Sequence, residues 1–185
     1  MITLRLIDNT IGNDLDRLID RIGRPGPRQA RSIADAIRQG FQDNFTTEGR
    51  AAGNDWPALA PPTVAARQKL GFAGQHPILV RTGGYRASFV QRGASDNIEE
   101  IRQTSSGVEV VAGSSSERGR IHEFGATVNI PSLQQSRRNG LMDVGGARNV
   151  YIPPRPVTEL GQQSEQRIVD VIELMLTQIE RESLR

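Results

Sequence analysis

The sequence predicts an α+β fold: a mostly antiparallel sheet of four or five strands, packed by two long helices, with extended arms. Three observations lead to this prediction. Amphipathic helical patterns lie towards both ends of the chain, short β-branched runs lie between them, and two long segments lack apolar periodicity. The length of 185 residues predicts a single domain over residues 1–185. Because aromatic residues make up only 4% of the chain, we expect a mostly aliphatic core.

The N-terminal part of the chain contains a strand pattern followed by two helical patterns. Apolar residues alternate over residues 2–7, which predicts a half-buried strand, and residues 14–22 carry leucine and isoleucine at helical spacing. Glycines and prolines in residues 23–27 end this first helix. Residues 28–45 predict the first long helix, since isoleucine or phenylalanine recurs every fourth residue along one stripe.

Residues 46–62 predict an extended arm, because they contain glycines, three prolines and the single tryptophan but no apolar periodicity. That tryptophan, Trp56, supports two interpretations of equal weight. It could anchor a subunit interface, where a large aromatic side chain provides much contact area. It could equally form a small satellite core that packs the arm against its own domain.

The middle of the chain predicts the strands of the sheet. A turn-like Ser-Ser-Gly sequence separates two of them, residues 98–103 and 108–112, which we therefore expect to pair. One helical turn over residues 120–124 should end at Gly125. The predicted strands are residues 86–91 (the weakest pattern), 98–103, 108–112, 127–130 and 150–152.

The last part of the chain predicts a flexible loop and the second long helix. Residues 131–149 are polar and nearly featureless, which predicts the loop. Residues 159–183 predict a C-terminal amphipathic helix with an acidic outer face. Charge is segregated: residues 117–156 hold six arginines and three acids, whereas residues 157–185 hold three arginines and six acids. The two regions could pair within one subunit or between neighbouring subunits.

Arginines on the predicted loop allow a further interpretation. Arg137, Arg138 and Arg148 could face the phosphates of double-stranded DNA, or they could simply be solvated. Lys69 is the only lysine among 23 basic residues. Arginine suits planar contacts to carboxylate or phosphate, although a GC-rich genome would produce the same bias. Because the chain also holds 21 acidic residues, it is not a polycation as a whole.

The residues that catalysis would require are missing from the sequence pattern. The chain has two distant histidines, His76 and His122, and no cysteine, so we expect no metal site and no cofactor. No lysine-bearing phosphate loop and no nucleophile–base motif is present. No apolar run approaches the roughly 18 residues that cross a bilayer, and no secretory signal is visible. We therefore expect a non-enzyme that folds in the cytoplasm without a membrane partner.

Five short motifs follow one another in a recognisable order. They are Trp56-Pro57-Ala58-Leu59, residues 78–88 (ILVRTGGYRAS), residues 111–114 (VAGS), residues 121–125 (IHEFG) and residues 152–157 (IPPRPV). In this order they resemble the phage virion morphogenesis family, the tail-completion proteins of Mu-like phages. The resemblance covers roughly residues 28–180 and departs from the family at Gly84-Tyr85, where the family has glycine followed by leucine.

The resemblance implies a structural virion protein at the phage head–tail junction, that is, a tail-completion, tail-terminator or neck protein and not an enzyme. It also implies a homo-oligomeric ring, expected to be hexameric, located in the tail or neck of the virion around the DNA channel. Its partners would be the tail tube and the head-completion or connector proteins, with non-specific contact to double-stranded DNA. The alternative is a DNA-binding accessory protein of virion assembly that uses the arginine-bearing loop.

Six residues within these motifs are candidates for the subunit interface. For His122 we expect a structural hydrogen bond to a carbonyl rather than a pH switch. Arg155 lies between prolines that restrict its backbone, and we expect a carboxylate on a neighbouring element or subunit as its partner. The interface candidates are Trp56, Leu59, Tyr85, His122, Phe124 and Arg155, and the DNA-channel candidates are Arg137, Arg138 and Arg148.

Overall fold

The structure is a computed structural model that describes residues 27–104, 108–130, 134–137, 140–143 and 148–183. The strand predicted over residues 2–7 and the helix predicted over residues 14–22 lie outside the described residues.

Five α-helices and six β-strands make up the described part of the chain. The helices are α1 (Pro27–Thr47), α2 (Pro61–Lys69), α3 (Gly84–Val90), α4 (Glu117–Phe124) and α5 (Gln162–Ser183). The strands are β1 (Asn97–Gln103), β2 (Val108–Ser114), β3 (Ala126–Ile130), β4 (Gln134–Arg137), β5 (Gly140–Asp143) and β6 (Arg148–Ile152). The fold is therefore α+β, as the sequence predicted.

The helices α1 and α5 begin and end within a few residues of the predicted ranges, and they pack against each other. Their contact follows from the apolar stripe on each helix: Phe41 and Phe45 of α1 are buried, as are Ile168 and Ile172 of α5. Helix α1 also packs against β2 and α3, and Phe41 and Phe45 contact Phe89 of α3.

The strands form three separate two-stranded antiparallel ladders: β1 with β2, β3 with β6, and β4 with β5. The prediction of one sheet with four or five strands is therefore wrong. The pairing of β1 with β2 is confirmed, with Asn97 opposite Ser114 and Gln103 opposite Val108. Short strands with one apolar face can be covered by a single helix each, so a local apolar pattern does not determine which strands share a sheet.

Residues 86–91 were the weakest predicted strand, and that prediction is wrong. They belong to α3, whose buried residues Tyr85, Ser88 and Phe89 follow helical rather than alternating spacing. A short apolar run is compatible with both elements, and here the packing of α3 against α1 determines the outcome.

The segment predicted as a flexible loop, residues 131–149, contains secondary structure. Strands β4 and β5 pair from Gln134 opposite Asp143 to Arg137 opposite Gly140, and β6 begins at Arg148. The predicted arm, residues 46–62, likewise begins with the last turn of α1 and continues into a 3-10 turn, Arg50–Ala52.

The core is mostly aliphatic, as the sequence predicted, and it also contains a cluster of five aromatic rings. Ring centroids in this cluster lie between 5.3 and 6.0 Å apart, mostly edge to face. Such pairs stabilise a fold by about 0.5–1.5 kcal/mol each beyond the burial of their area. The five aromatic residues of this core cluster are Phe41, Phe45, Trp56, Tyr85 and Phe89.

An ion-pair network centred on the buried Arg38 fastens α1 to β1. Arg38 of α1 is buried and contacts Asp35 on its own helix and Glu99 on β1. Arg92 lies 2.9 Å from both of these carboxylates and completes the network. The network thereby holds the β1–β2 ladder against α1.

Candidate interaction site around Tyr85 and His122

Two segments far apart in the chain bind each other through their motif residues. The Trp56 indole Nε1 donates a hydrogen bond to the carbonyl oxygen of Pro156 at 3.0 Å. In return, Arg155 Nε donates to the carbonyl of Pro57 at 2.9 Å and Arg155 Nη2 donates to that of Ala58 at 3.1 Å. The arm around Trp56 is thus fastened to residues 153–159.

Residues 153–159 are also held from the other side, by Glu123 of α4. One carboxylate oxygen of Glu123 accepts from the backbone N–H groups of Val157 at 2.8 Å and Thr158 at 3.1 Å. The other accepts from the Thr158 hydroxyl at 2.9 Å. Asn44 of α1 adds a donor to the carbonyl of Val157 at 2.9 Å. The IHEFG and IPPRPV motifs are therefore in direct contact.

Burial changes the acid–base properties of this junction. It raises the pKa of Glu123, against the opposing effect of the hydrogen bonds from Val157 and Thr158. Burial also lowers the pKa of Arg155, whose guanidinium binds carbonyl oxygens. The charged groups of both side chains are used to hold backbone, which is a structural role.

The structure places most of the predicted interface residues inside the chain's own fold. Trp56 is 6% exposed, Tyr85 9% and Arg155 4%. Leu59 and His122 are partly buried, whereas Phe124 is 75% exposed. For Trp56, the interpretation as a core that packs the arm down fits this burial, since little of the side chain remains for a second subunit.

Two expected contacts are different in the structure. Arg155 was expected to bind a carboxylate, but it binds the carbonyls of Pro57 and Ala58, because the arm lies directly over it. His122 was expected to hydrogen-bond a carbonyl through its ring. Its Nδ1 has no hydrogen-bond partner among the described residues, and its ring instead packs against Tyr85 at 5.3 Å. It is the backbone carbonyl of His122 that accepts a hydrogen bond, from the N–H of Arg155.

Beside the Tyr85–His122 pair lies a cavity of about 210 Å³, which we call the arginine pocket. It is lined by Arg67, Arg81, Arg118, Tyr85 and His122, together with Thr63, Thr82, Leu59 and Leu79. The interface candidates from the sequence include Tyr85, His122 and Leu59 but none of the three arginines. Arg81 stands inside the ILVRTGGYRAS motif and could have been noticed there.

The arginine pocket presents donors and positive charge. Burial and the nearby Arg155 and Arg118 lower the pKa of His122 to about 4, so its ring is neutral at pH 7. Burial and the charge of Glu123 raise the pKa of Tyr85, which keeps its hydroxyl protonated. Tyr85 Oη and Arg67 Nε are buried, and neither has a hydrogen-bond partner in the described part of the chain. The exposed guanidinium groups of Arg81 and Arg118 give the pocket a positive charge, which suits an anion.

The DNA-channel candidates lie on the β3–β6 and β4–β5 ladders. Arg148 is the first residue of β6, is exposed and pairs opposite Ile130. Arg137 is the last residue of β4 and pairs opposite Gly140. Arg138 lies outside the described residues.

The described residues were also compared with the requirements of a metal site and of a membrane-spanning helix. Within the described residues, no cluster of three or more histidine, aspartate or glutamate side chains could hold a metal ion. Over the same ranges, none of the helices has the length and apolar character required to span a bilayer.

Comparisons with known proteins agree with the motif order. No curated protein and no solved structure matches the sequence. A family model, described as the phage virion morphogenesis family, matches residues 7–177, which include every motif at the site described above. The chain therefore belongs to the phage virion morphogenesis family.

Proposed function

We propose that this protein is a structural component of the phage head–tail junction, a tail-completion, tail-terminator or neck protein that assembles as a ring around the DNA channel. The observation that carries the proposal is the family match over residues 7–177, which points to a structural or assembly role in the virion. The location at the head–tail junction and the assembly into a ring are our own inference beyond this match.

The geometry of the site supports a structural role. The side chains that could have served in catalysis are hydrogen-bonded to backbone: Glu123 to residues 157 and 158, and Arg155 to residues 57 and 58. A site built in this way fixes the relative position of distant segments. It provides a rigid body on which a neighbouring subunit can dock without reordering the chain.

Exposed apolar side chains support assembly with other polypeptides. Phe124 ends α4 beside the site, Tyr151 lies on β6, and Leu174 lies on the outer face of α5. Aromatic side chains such as Phe124 and Tyr151 are enriched at protein interfaces. The symmetry of a phage tail favours a closed ring, for which we propose six subunits.

Imaging of virus particles tests the proposed function. We expect phage that lacks this protein to accumulate separate heads and tails, and complementation with the wild-type chain to restore joined particles. Electron microscopy of complemented particles carrying a labelled chain should locate the label at the neck or at the top of the tail. Normal joined and infectious particles in the absence of the protein would contradict the proposal.

The second candidate function is DNA binding through the arginine-bearing segment. It is supported by the position of Arg137 at the end of β4 in the β4–β5 ladder, and by the exposed Arg148. Simultaneous replacement of Arg137, Arg138 and Arg148 by glutamine should then weaken DNA binding and reduce its salt dependence. If DNA binding in vitro and DNA retention in particles both stay at the wild-type level, this candidate is rejected.

A further inference from the structure

We propose that the arginine pocket binds an acidic side chain from the outer face of α5 in a second copy of this chain. The inference rests on the proposed ring assembly and names one contact that would build it. None of the described α5 residues lines the pocket, so the contact is head to tail. Repetition of a head-to-tail contact generates a ring when the rotation between subunits closes on itself.

Two residues that line the pocket, Arg67 and Tyr85, each bury a polar atom that has no hydrogen-bond partner in the described part of the chain. Arg67 is 6% exposed, and its Nη2 donates to the carbonyl of Pro77 at 3.0 Å, while its Nε has no partner among the described residues. Tyr85, which is 9% exposed, likewise has an unpartnered hydroxyl within that part of the chain. Both atoms are shielded from solvent, so the groups that can meet a ligand entering the pocket are the exposed guanidinium groups of Arg81 and Arg118.

Charge makes that ligand an anion. Among the described residues, no aspartate or glutamate lines the pocket. Arg81 and Arg118 are exposed at its edge, and neither forms an ion pair with any residue in the ranges that the structure describes. Glu117 precedes Arg118 in the sequence but lines a neighbouring cavity together with Asp96, and Glu123 is bound to residues 157 and 158. A guanidinium binds a carboxylate through two parallel hydrogen bonds, which matches these arginines.

The size of the pocket favours a side chain over a larger ligand. Its volume of about 210 Å³ lies below the roughly 300–1,000 Å³ that is typical of cofactor and small-molecule sites. A carboxylate at the end of one or two methylene groups fits such a space. The methylene groups would contact Leu59 and Leu79, which line the same cavity.

The outer face of α5 offers the matching acidic groups. Glu165, Asp170 and Glu173 are exposed on it, and the one arginine between residues 162 and 178, Arg167, is 3.0 Å from Asp43 of the same chain. Leu174 lies next to Glu173 and is 62% exposed, which adds an apolar contact beside the acidic ones. Complementary charge and an exposed apolar residue on one helix face are what a docking element requires.

Charge reversal on each side of the contact tests the inference. The variants are Arg118→Glu in the pocket and the double variant Asp170→Arg/Glu173→Arg on α5. The matched control is Arg120→Glu, because Arg120 is exposed on the same helix as Arg118 but does not line the pocket. The oligomeric state of the purified full-length chains would be measured by sedimentation velocity and native mass spectrometry, and their folding by circular dichroism.

We expect both pocket and helix variants to weaken self-association by about tenfold or more while they remain folded, and the control to assemble as the wild type does. An equimolar mixture of the two variants should regain assembly. In an alternating ring, each reversed pocket then meets a reversed helix, and each unchanged pocket meets an unchanged helix. This restoration cannot arise from damage to folding.

Other outcomes separate this inference from the proposed function. If Arg118→Glu forms rings as the wild type does, the pocket contact is wrong and the ring proposal stands. If the wild-type chain stays monomeric at every concentration tested, the ring proposal fails and the inference fails with it. If Arg118→Glu assembles normally but loses binding to duplex DNA, the occupant is a phosphate, and the α5 contact is overturned.

Discussion

Trp56 and Arg155 each bind the backbone beside the other, so that two segments about a hundred residues apart are held by a reciprocal pair of side chains. The indole N–H of Trp56 reaches Pro156, and the guanidinium of Arg155 reaches Pro57 and Ala58. The arm that the sequence predicted to extend from the domain is thereby closed onto it. The consequences can be measured as changes in stability.

Replacement of Trp56 by alanine should destabilise the monomer. The ring packs against Phe45 at 5.8 Å between centroids and carries the hydrogen bond to Pro156. Loss of a buried tryptophan side chain typically costs about 3–5 kcal/mol. We expect the free energy of unfolding, measured with guanidinium chloride, to fall by that amount.

Phe124→Ala is the matched control for Trp56→Ala, since Phe124 is 75% exposed. Its free energy of unfolding should stay within about 0.5 kcal/mol of the wild-type value. If Trp56→Ala is instead as stable as the wild type but impaired in assembly, Trp56 belongs to the subunit interface.

Two glycines that flank the 3-10 turn should respond differently to alanine. Gly49 and Gly53 both have a positive φ, +88° and +77° respectively. A Cβ atom at Gly49 would overlap the carbonyl oxygen of Asn54 and the indole of Trp56, whereas none of the described neighbours lies within 4 Å of one at Gly53. Gly53→Ala should therefore cost only about 1 kcal/mol of backbone strain.

Gly49→Ala should cost about 3 kcal/mol or more, because the backbone of the arm must move as well. Thermal unfolding of the two variants side by side measures the difference. Equal melting temperatures would mean that the close approach between Gly49 and the arm is absent in solution.

Removal of the Glu123 carboxylate should loosen residues 153–159. Glu123→Ala leaves the N–H groups of Val157 and Thr158 without their acceptor, which we expect to cost about 2–5 kcal/mol. Glu123→Gln keeps one carbonyl oxygen for both amides and should cost about 1 kcal/mol. Hydrogen exchange of these two amides should accelerate in the alanine variant. Unchanged exchange would show that the carboxylate does not hold this segment.

The pH dependence of stability should also report on Glu123. Burial raises the pKa of Glu123 in the folded state. The stability linked to that raised pKa is fully present below the unfolded value of about 4.5 and is lost as the pH rises through the folded pKa. The Glu123→Gln variant does not lose stability in this way as the pH rises. The deficit in its free energy of unfolding relative to the wild type should therefore be smaller at pH 7 than at pH 4. A deficit that grows from pH 4 to pH 7 would contradict the raised pKa.

His122 should titrate well below an ordinary histidine. Burial, and then the charges of Arg155 and Arg118, lower its pKa to about 4. The neutral ring therefore contributes stability that is present above the unfolded pKa of about 6.5 and is lost as the pH falls towards 4. We expect an NMR titration of the monomeric chain to give this low pKa, and Arg118→Gln to raise it. A value near 6.5 would mean that the His122 ring is solvated.

The sequence by itself determined the elements whose patterns are local. The stripe of residues four apart determined α1, the acidic amphipathic pattern determined α5, and the β-branched runs around residues 105–107 determined the β1–β2 pair. Motif order alone led to the family, because the order of residues along a chain does not depend on how they fold.

Only the tertiary structure decided what those motif residues do. Trp56 and Arg155 were interface candidates in the sequence, and their burial depends on a contact with residues about a hundred positions away. The arginine pocket brings together side chains from positions 67, 81 and 118, which share no sequence period. Helical and strand spacing report the face on which a side chain lies, whereas the neighbour on that face is fixed by how the elements pack.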